Sequence, residues 1–261
     1  MHVTTTSTIT LLAVLGLSAT VPFTVTAAQP TEPADLTAYC EATLAIETAP
    51  FPDIDFEAAR EDEIAAALAS FRELLRPLAD DVLAVAPAEI AAALDVLSGA
   101  VDQIGAVEGD PFEAPNVAAA EQLVHAFDVA NCGWQKASLT AMDYHFSGEL
   151  PTTAGITSFD IVNEGEEFHV AILGRKLDTV TVSAEDAFAA VETEEQFGES
   201  FEFVGEIETP PGSAAYLVVD LAPGEYVLLC PVPVGSTGGT EGSGPPHFVE
   251  GMVSFFTVVA P

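Results

Sequence analysis

Two segments near the C-terminus decide the fold: residues 224–230, GEYVLLC, and residues 246–259, PHFVEGMVSFFTVV. Both are rich in aliphatic and aromatic residues of the kind that favour β-strands. A tight turn is indicated just before the first segment by the sequence APGE at residues 222–225. Because side chains alternate along a strand, Tyr226 and Cys230 fall on the same face. The segments therefore predict the last two strands of a sheet, with Cys230 closing the first of them.

Short runs of the same kind continue upstream from these segments as far as Trp134, and Gly and Pro punctuate them. The strands are predicted near residues 139–146, 157–162, 168–173, 201–207, 215–221, 226–230 and 253–259. One helical segment, Ala184–Val191, interrupts the series. Seven short strands separated by turn signals predict a two-sheet β-sandwich over residues 137–261.

The N-terminal half has a different pattern, rich in Ala, Leu and Glu, from Asp35 to Asn131. Apolar residues recur there every three or four positions, as in Ile64, Leu68, Phe71 and Leu75. Pro87 suits the first turn of one predicted helix and Asn116 the N-cap of another. Residues 29–136 therefore predict a small helical bundle of three or four members, and the fold class is α+β multidomain. Glu121 and His125, four residues apart, are interpreted as a surface pair on one of these helices.

The first 28 residues predict a signal peptide. Residues 9–26 are apolar and small, and small residues that suit cleavage follow them. The alternative is a retained membrane anchor, although Thr, Ser and Gly dilute the run below a good spanning helix. The prediction is an exported protein, secreted, extracellular or in the cell envelope, with no membrane span after the signal is removed.

The chain is strongly acidic, with 41 Asp and Glu against 6 Lys and Arg and a formal charge of −35. Such a field repels nucleic acid and anionic lipid, so neither is an expected partner. A dense carboxylate surface keeps a protein soluble in high salt, and it would also attract a basic partner protein. Hydrophobic residues make up 49% of the chain, which is enough for a core.

Three cysteines in an exported protein allow one disulfide and leave one thiol over. Cys40 and Cys132 both lie in the helical half, so we predict that they pair. Cys230 lies in the other half and remains unpaired, which is an oxidation risk unless something occupies its sulfur.

Four residues that suit a metal ion fall at the ends of the predicted strands: His169, Cys230, His247 and Met252. A thiolate, two imidazoles and a weak thioether suit copper that moves between Cu(I) and Cu(II). Calcium, which prefers oxygen ligands, does not fit this set, whereas zinc does. Each residue alone has an ordinary structural alternative, as a strand-end histidine, a core residue or a loop residue.

The order of these residues resembles that of the cupredoxins, the plastocyanin–azurin family of blue copper proteins. The features are a histidine after a turn, Tyr226 four residues before Cys230, and His247 five residues before Met252. The resemblance covers roughly residues 138–261 and implies a Greek-key sandwich holding one type 1 copper ion, with His169, Cys230 and His247 equatorial and Met252 axial. The chain also resembles exported actinobacterial proteins that join a helical N-terminal region to such a domain. It departs from most cupredoxins in the 16 residues between Cys230 and His247, a Gly-rich loop that we expect to be flexible.

The resemblance implies a secreted copper protein that carries single electrons to a redox partner protein and is not an enzyme. The chain has no Gly-x-Ser-x-Gly, His-Glu-x-x-His or phosphate-binding motif. It also lacks the paired His-x-His segments of a multicopper oxidase. Two alternatives stay open: a metal-free module that binds an extracellular partner, and a copper storage or delivery protein.

Overall fold

A computed structural model describes residues 35–52, 54, 58–107, 109–191 and 194–261. The predicted signal peptide, residues 1–28, lies outside the described residues. Asp35–Pro261 forms one compact unit. Within the described residues, none of the helices combines the length and the apolar character that crossing a membrane requires.

The N-terminal half is helical, as predicted. Its helices are α1 (Thr37–Glu47), α2 (Glu61–Ala84), α3 (Ala91–Val101) and α4 (Pro115–Asn131), with a short 3₁₀ helix at Pro111–Glu113. Helix α4 begins at Pro115 with Ala114 as its N-cap, so the predicted start after Asn116 is wrong. Proline fits this first turn because its φ is already helical and its missing N–H has no partner there.

A disulfide between Cys40 and Cys132 joins α1 to the end of α4, which confirms the predicted pairing. Beside it, Asp128 of α4 is fully buried and accepts hydrogen bonds from two side chains of α1. The hydroxyl of Tyr39 donates at 2.6 Å and that of Thr43 at 2.9 Å. The first and last helices of the bundle are therefore held together both covalently and through a buried polar contact.

The second half is a sandwich of two four-stranded sheets, which confirms the predicted architecture. The strands are β1 (Gln135–Met142), β2 (His145–Gly148), β3 (Gly155–Asn163), β4 (His169–Lys176), β5 (Phe201–Thr209), β6 (Ala214–Leu221), β7 (Gly224–Leu229) and β8 (Val253–Val258). One sheet has the order β2-β1-β3-β6 and the other β5-β4-β7-β8. Strands β1 and β3 are parallel, and the other pairs are antiparallel. The strand predicted at 139–146 is in fact two, because the chain turns at Asp143 and Tyr144 to form a hairpin.

Strand β7 is buried on both faces, which explains its unbroken apolar sequence. Tyr226, Leu228 and Cys230 face the core between the sheets, as predicted from their spacing. Val227 and Leu229 face outward but lie beneath two helices, α5 (Ala184–Phe188) and α6 (Glu194–Ser200). The predicted helix at 184–191 is confirmed as α5, and its apolar side covers the second sheet.

The helical half packs directly on the first sheet of the sandwich. The ring of His125 stacks on that of Tyr216 in β6 with centroids 3.6 Å apart, and its Nε2 lies 3.0 Å from a carboxylate oxygen of Asp160 in β3. The Tyr216 hydroxyl donates to Glu121 at 3.3 Å. The interpretation of Glu121 and His125 as a surface pair is therefore wrong, because both residues contact the sandwich.

Near this junction, a cavity of about 300 Å³ is lined mainly by apolar side chains and by the carboxyls of Glu47 and Glu121. Burial, together with repulsion from Asp128 and Glu121, raises the pKa of Glu47 to about 8. A carboxyl with a raised folded-state pKa holds its proton better in the folded than in the unfolded chain. Its contribution to stability is therefore lost as pH rises from the unfolded value through about 8.

We expect Glu47→Gln to flatten the decline of the melting temperature between pH 5 and pH 8, because glutamine does not ionise. Thermal unfolding of the wild type and the variant across this range measures the difference. Glu41→Gln, at an exposed position of the same helix, is the matched control and should keep the wild-type dependence. Parallel curves for the wild type and Glu47→Gln would contradict the expectation.

Candidate metal centre

The four predicted ligands all lie at one end of the sandwich. His169 is the first residue of β4, Cys230 directly follows β7, His247 opens a 3₁₀ helix (His247–Glu250), and Met252 directly precedes β8. Strand β7 pairs with both β4 and β8, so the strand order alone brings these ends together.

Main-chain hydrogen bonds fix the segment from His247 to Met252 against the end of β7. The Cys230 N–H donates to the carbonyl of Met252 at 3.1 Å, and the Phe248 N–H donates to the carbonyl of Cys230 at 2.9 Å. The Met252 N–H donates to the carbonyl of His247 at 3.0 Å. The backbone therefore sets the relative positions of three of the predicted ligands.

Three donor atoms converge inside the protein. The Nδ1 atoms of His169 and His247 are 3.1 Å apart, and Cys230 Sγ lies 3.3 Å from His247 Nδ1. Suitable donor atoms of the three residues all lie within 4.8 Å of one another, as a metal site requires. Each of these residues is 0% exposed, and Met252 is also fully buried, in the same core cluster as Cys230.

Several hydrogen bonds cross the long loop between Cys230 and His247. The His247 N–H donates to the carbonyl of Val232 at 2.8 Å, and the Val234 N–H donates to the carbonyl of Pro245 at 2.9 Å. The Ser236 hydroxyl accepts from the Gly242 N–H at 2.9 Å. A Cβ atom at Gly242 would collide with the carbonyl oxygen of Val234, so the glycine permits the loop to close on itself.

Each histidine is bonded on its far side to a carboxylate. His169 Nε2 lies 3.2 Å from Asp143 Oδ1, and His247 Nε2 lies 3.0 Å from Glu167 Oε2. Sequence reasoning missed Asp143 and Glu167. The signal that could have found Glu167 is its place in the turn two residues before His169, whereas Asp143 lies in a turn distant along the chain.

These contacts assign the proton on each ring. An ionised carboxylate only accepts hydrogen bonds, so Nε2 of each imidazole carries the hydrogen. In a neutral ring with hydrogen on Nε2, Nδ1 carries a lone pair. The two Nδ1 atoms lie close to each other, and that of His247 lies close to the sulfur of Cys230. Two lone pairs and a sulfur directed into one buried space form a site for a cation.

Hydrogen bonds keep the carboxylates of Glu167 and Asp143 ionised. Burial acts to raise the pKa of Glu167, but hydrogen bonds from Tyr144, Gly235 and His247 outweigh it and lower the pKa. Burial also acts to raise the pKa of Asp143. Hydrogen bonds from the N–H groups of Glu166 and Glu167 outweigh burial, so the pKa of Asp143 is lowered.

For His169 and Cys230, no hydrogen bond outweighs burial, which disfavours the charged form of each group. Burial and the proximity of His247 lower the pKa of His169. Burial raises the pKa of the Cys230 thiol to about 11. The site without a metal therefore favours a neutral imidazole and a protonated thiol, and a bound metal must displace the thiol proton.

The donor set suits copper. A thiolate and two imidazoles are ligands that copper accepts in either oxidation state, and zinc is the other ion that accepts them. The His–Cys–His–Met arrangement fits a blue copper site.

No family model and no curated protein matches the chain. Among solved structures, reduced auracyanin from Roseiflexus castenholzii matches with 16% identity and a TM-score of 0.31, over 48% of this chain and 97% of that one. Rusticyanin from Thiobacillus ferrooxidans matches with 14% identity and a TM-score of 0.30, over 48% and 78%. A multicopper oxidase from Pediococcus acidilactici matches with 12% identity and a TM-score of 0.26, over 49% and only 26%.

Identities and TM-scores at this level carry no inference about this chain. The topology and the buried ligand group define the class: a cupredoxin-like β-sandwich with a candidate blue copper site, preceded by a helical bundle.

Proposed function

We propose that this protein binds one copper ion through His169, Cys230 and His247, with Met252 as the axial ligand, and that it carries single electrons. The observation that supports the proposal most strongly is the convergence of two imidazole nitrogens and a thiol sulfur in a space closed to solvent. When bound, copper would supply the Cu(II)/Cu(I) couple.

The residues around the sulfur suit this role. The Val170 N–H points at Cys230 Sγ from 3.4 Å and would stabilise the thiolate that a metal requires. The donors are held in one arrangement by strands β4 and β7 and by the hydrogen-bonded loop between Cys230 and His247. The ligands would therefore move little between the two oxidation states. Complete burial of the ligands excludes a substrate from the site, which favours electron transfer over catalysis.

The proposal extends to the location of the protein and to its partner. We propose that residues 1–28 direct export and are removed, and that residues 29–136 and 137–261 act as helical and copper domains. The formal charge of −35 favours a redox partner with a basic docking surface. Association with such a partner should weaken as ionic strength rises.

A titration of the metal-free protein with Cu(II) tests the copper proposal. We expect an intense visible band from thiolate-to-copper charge transfer that saturates at one equivalent, disappears on reduction and returns on oxidation. Tight Cu(I) binding with slow electron exchange would instead indicate storage or delivery. A protein that stays colourless and retains no copper would contradict the proposal and leave a metal-free scaffold.

A further inference from the structure

Carboxylates brace both candidate histidine ligands, and each carboxylate is itself held in place. Glu167 accepts from the Tyr144 hydroxyl at 2.8 Å and from the Gly235 N–H, in addition to its contact with His247. Its side chain is only 16% exposed. The ring of Tyr144 also packs against that of His247, with centroids 4.9 Å apart. Glu167 thus links the turn between β1 and β2, the loop between Cys230 and His247, and the candidate ligand His247.

Asp143 contacts the other candidate ligand, His169, and is held by hydrogen bonds of its own. Its carboxylate accepts from the N–H groups of Glu166 at 3.0 Å and Glu167 at 3.3 Å, beside its contact with His169. Gly165 permits this approach, because a Cβ atom there would collide with Asp143 Oδ1 and lie 3.0 Å from His169 Nε2. The turn before β4 is therefore built around the Asp143–His169 contact.

Two physical effects follow for an ion bound at Nδ1. A carboxylate that accepts from the far nitrogen fixes the tautomer and orientation of the ring and makes it a stronger donor. The negative charge of each carboxylate also lies one fully buried imidazole ring away from the ion, and solvent screens Glu167, 16% exposed, less than Asp143, 26% exposed. Both effects favour the more highly charged oxidation state.

We propose that Asp143 and Glu167 are positioning residues that turn Nδ1 of both histidines toward the ion and lower the reduction potential of the site. This inference rests on the copper site proposed above. Asp143 acts through His169, and Glu167 acts through His247.

The substitution Glu167→Gln separates charge from geometry, since the amide oxygen can still accept from His247 while the charge is lost. We expect the preference for Cu(II) over Cu(I) to fall roughly tenfold, which raises the potential by about 59 mV for a one-electron couple. Asp143→Asn should act in the same direction through His169. Voltammetry of the copper-loaded full chain measures both shifts.

The matched control is Glu166→Gln, which removes the same charge from the exposed neighbour of Glu167 in the turn before β4. Its potential should stay close to that of the wild type. Equal potentials for Glu167→Gln and Glu166→Gln in a protein that binds copper would overturn the inference and leave the proposed function intact.

A second readout needs no metal. Nitrogen-15 NMR of the metal-free protein should show hydrogen on Nε2 of both His169 and His247, and Glu167→Ala should release His247 from this tautomer. Hydrogen on Nδ1 of either ring in the wild type would overturn the positioning role. A wild type with the expected tautomers that takes up no copper would instead contradict the proposed function, and the effect on potential would be rejected with it.

Discussion

Replacing Cys230 with Ala is expected to abolish the charge-transfer colour and to lower copper affinity by more than about 100-fold, the upper end of the loss when a group bonded to a ligand is removed. The thiolate is the one anion among the four proposed ligands, and its sulfur is the source of the visible band. Titration of the variant with Cu(II), followed by absorption and by the bound-metal content, measures both effects.

Met252→Leu is the matched control for this experiment. It removes a weak ligand of similar volume at an equally buried position, so the fold and the colour should persist while the potential changes. An unfolding curve shows whether Cys230→Ala remains folded. A folded Cys230→Ala protein that still turns intensely blue would place the copper elsewhere.

Removing the disulfide by the double substitution of Cys40 and Cys132 with Ala should destabilise the protein strongly. The bridge spans 92 residues, and chain-entropy reasoning gives a loop of this length about 4–5 kcal/mol. Denaturant unfolding of the oxidised wild type and of the variant measures the difference in free energy. The copper spectrum of the folded variant should be unchanged, because the bridge lies in the helical half.

Asp128→Asn serves as a comparison for the bundle, because it perturbs the adjacent contact with Tyr39 and Thr43 without opening the covalent loop. We expect a smaller loss, in the range of about 1–3 kcal/mol for a buried hydrogen-bonding group. A double cysteine variant that unfolds at the wild-type midpoint would contradict the role given to the bridge.

Local pattern was sufficient for the parts of the fold that depend on periodicity. Side-chain alternation along one strand predicts that Tyr226, Leu228 and Cys230 share a face. The structure places all three in the core between the sheets. The pairing of Cys40 with Cys132 followed from their shared place in the helical half. The convergence of His169, Cys230 and His247 was predicted from their places at the strand ends together with the resemblance to the cupredoxins.

Contacts that join distant turns could not be predicted in this way. Asp143 reaches His169 only because the turn between β1 and β2 lies against the turn before β4, which is a matter of tertiary packing. The hydrogen bonds that cross the loop between Cys230 and His247 could not be predicted from its Gly-rich and Pro-rich composition. His125 of helix α4 was interpreted as a surface residue because its partners, Asp160 in β3 and Tyr216 in β6, are distant along the chain.

The central claim is that His169, Cys230 and His247 share one copper ion. Diffraction from crystals of the copper-loaded protein, recorded on both sides of the copper absorption edge, tests it directly. We predict a single strong anomalous peak bounded by the two Nδ1 atoms and the sulfur of Cys230. A peak at surface carboxylates alone, with Cys230 and His247 still in direct contact, would contradict it.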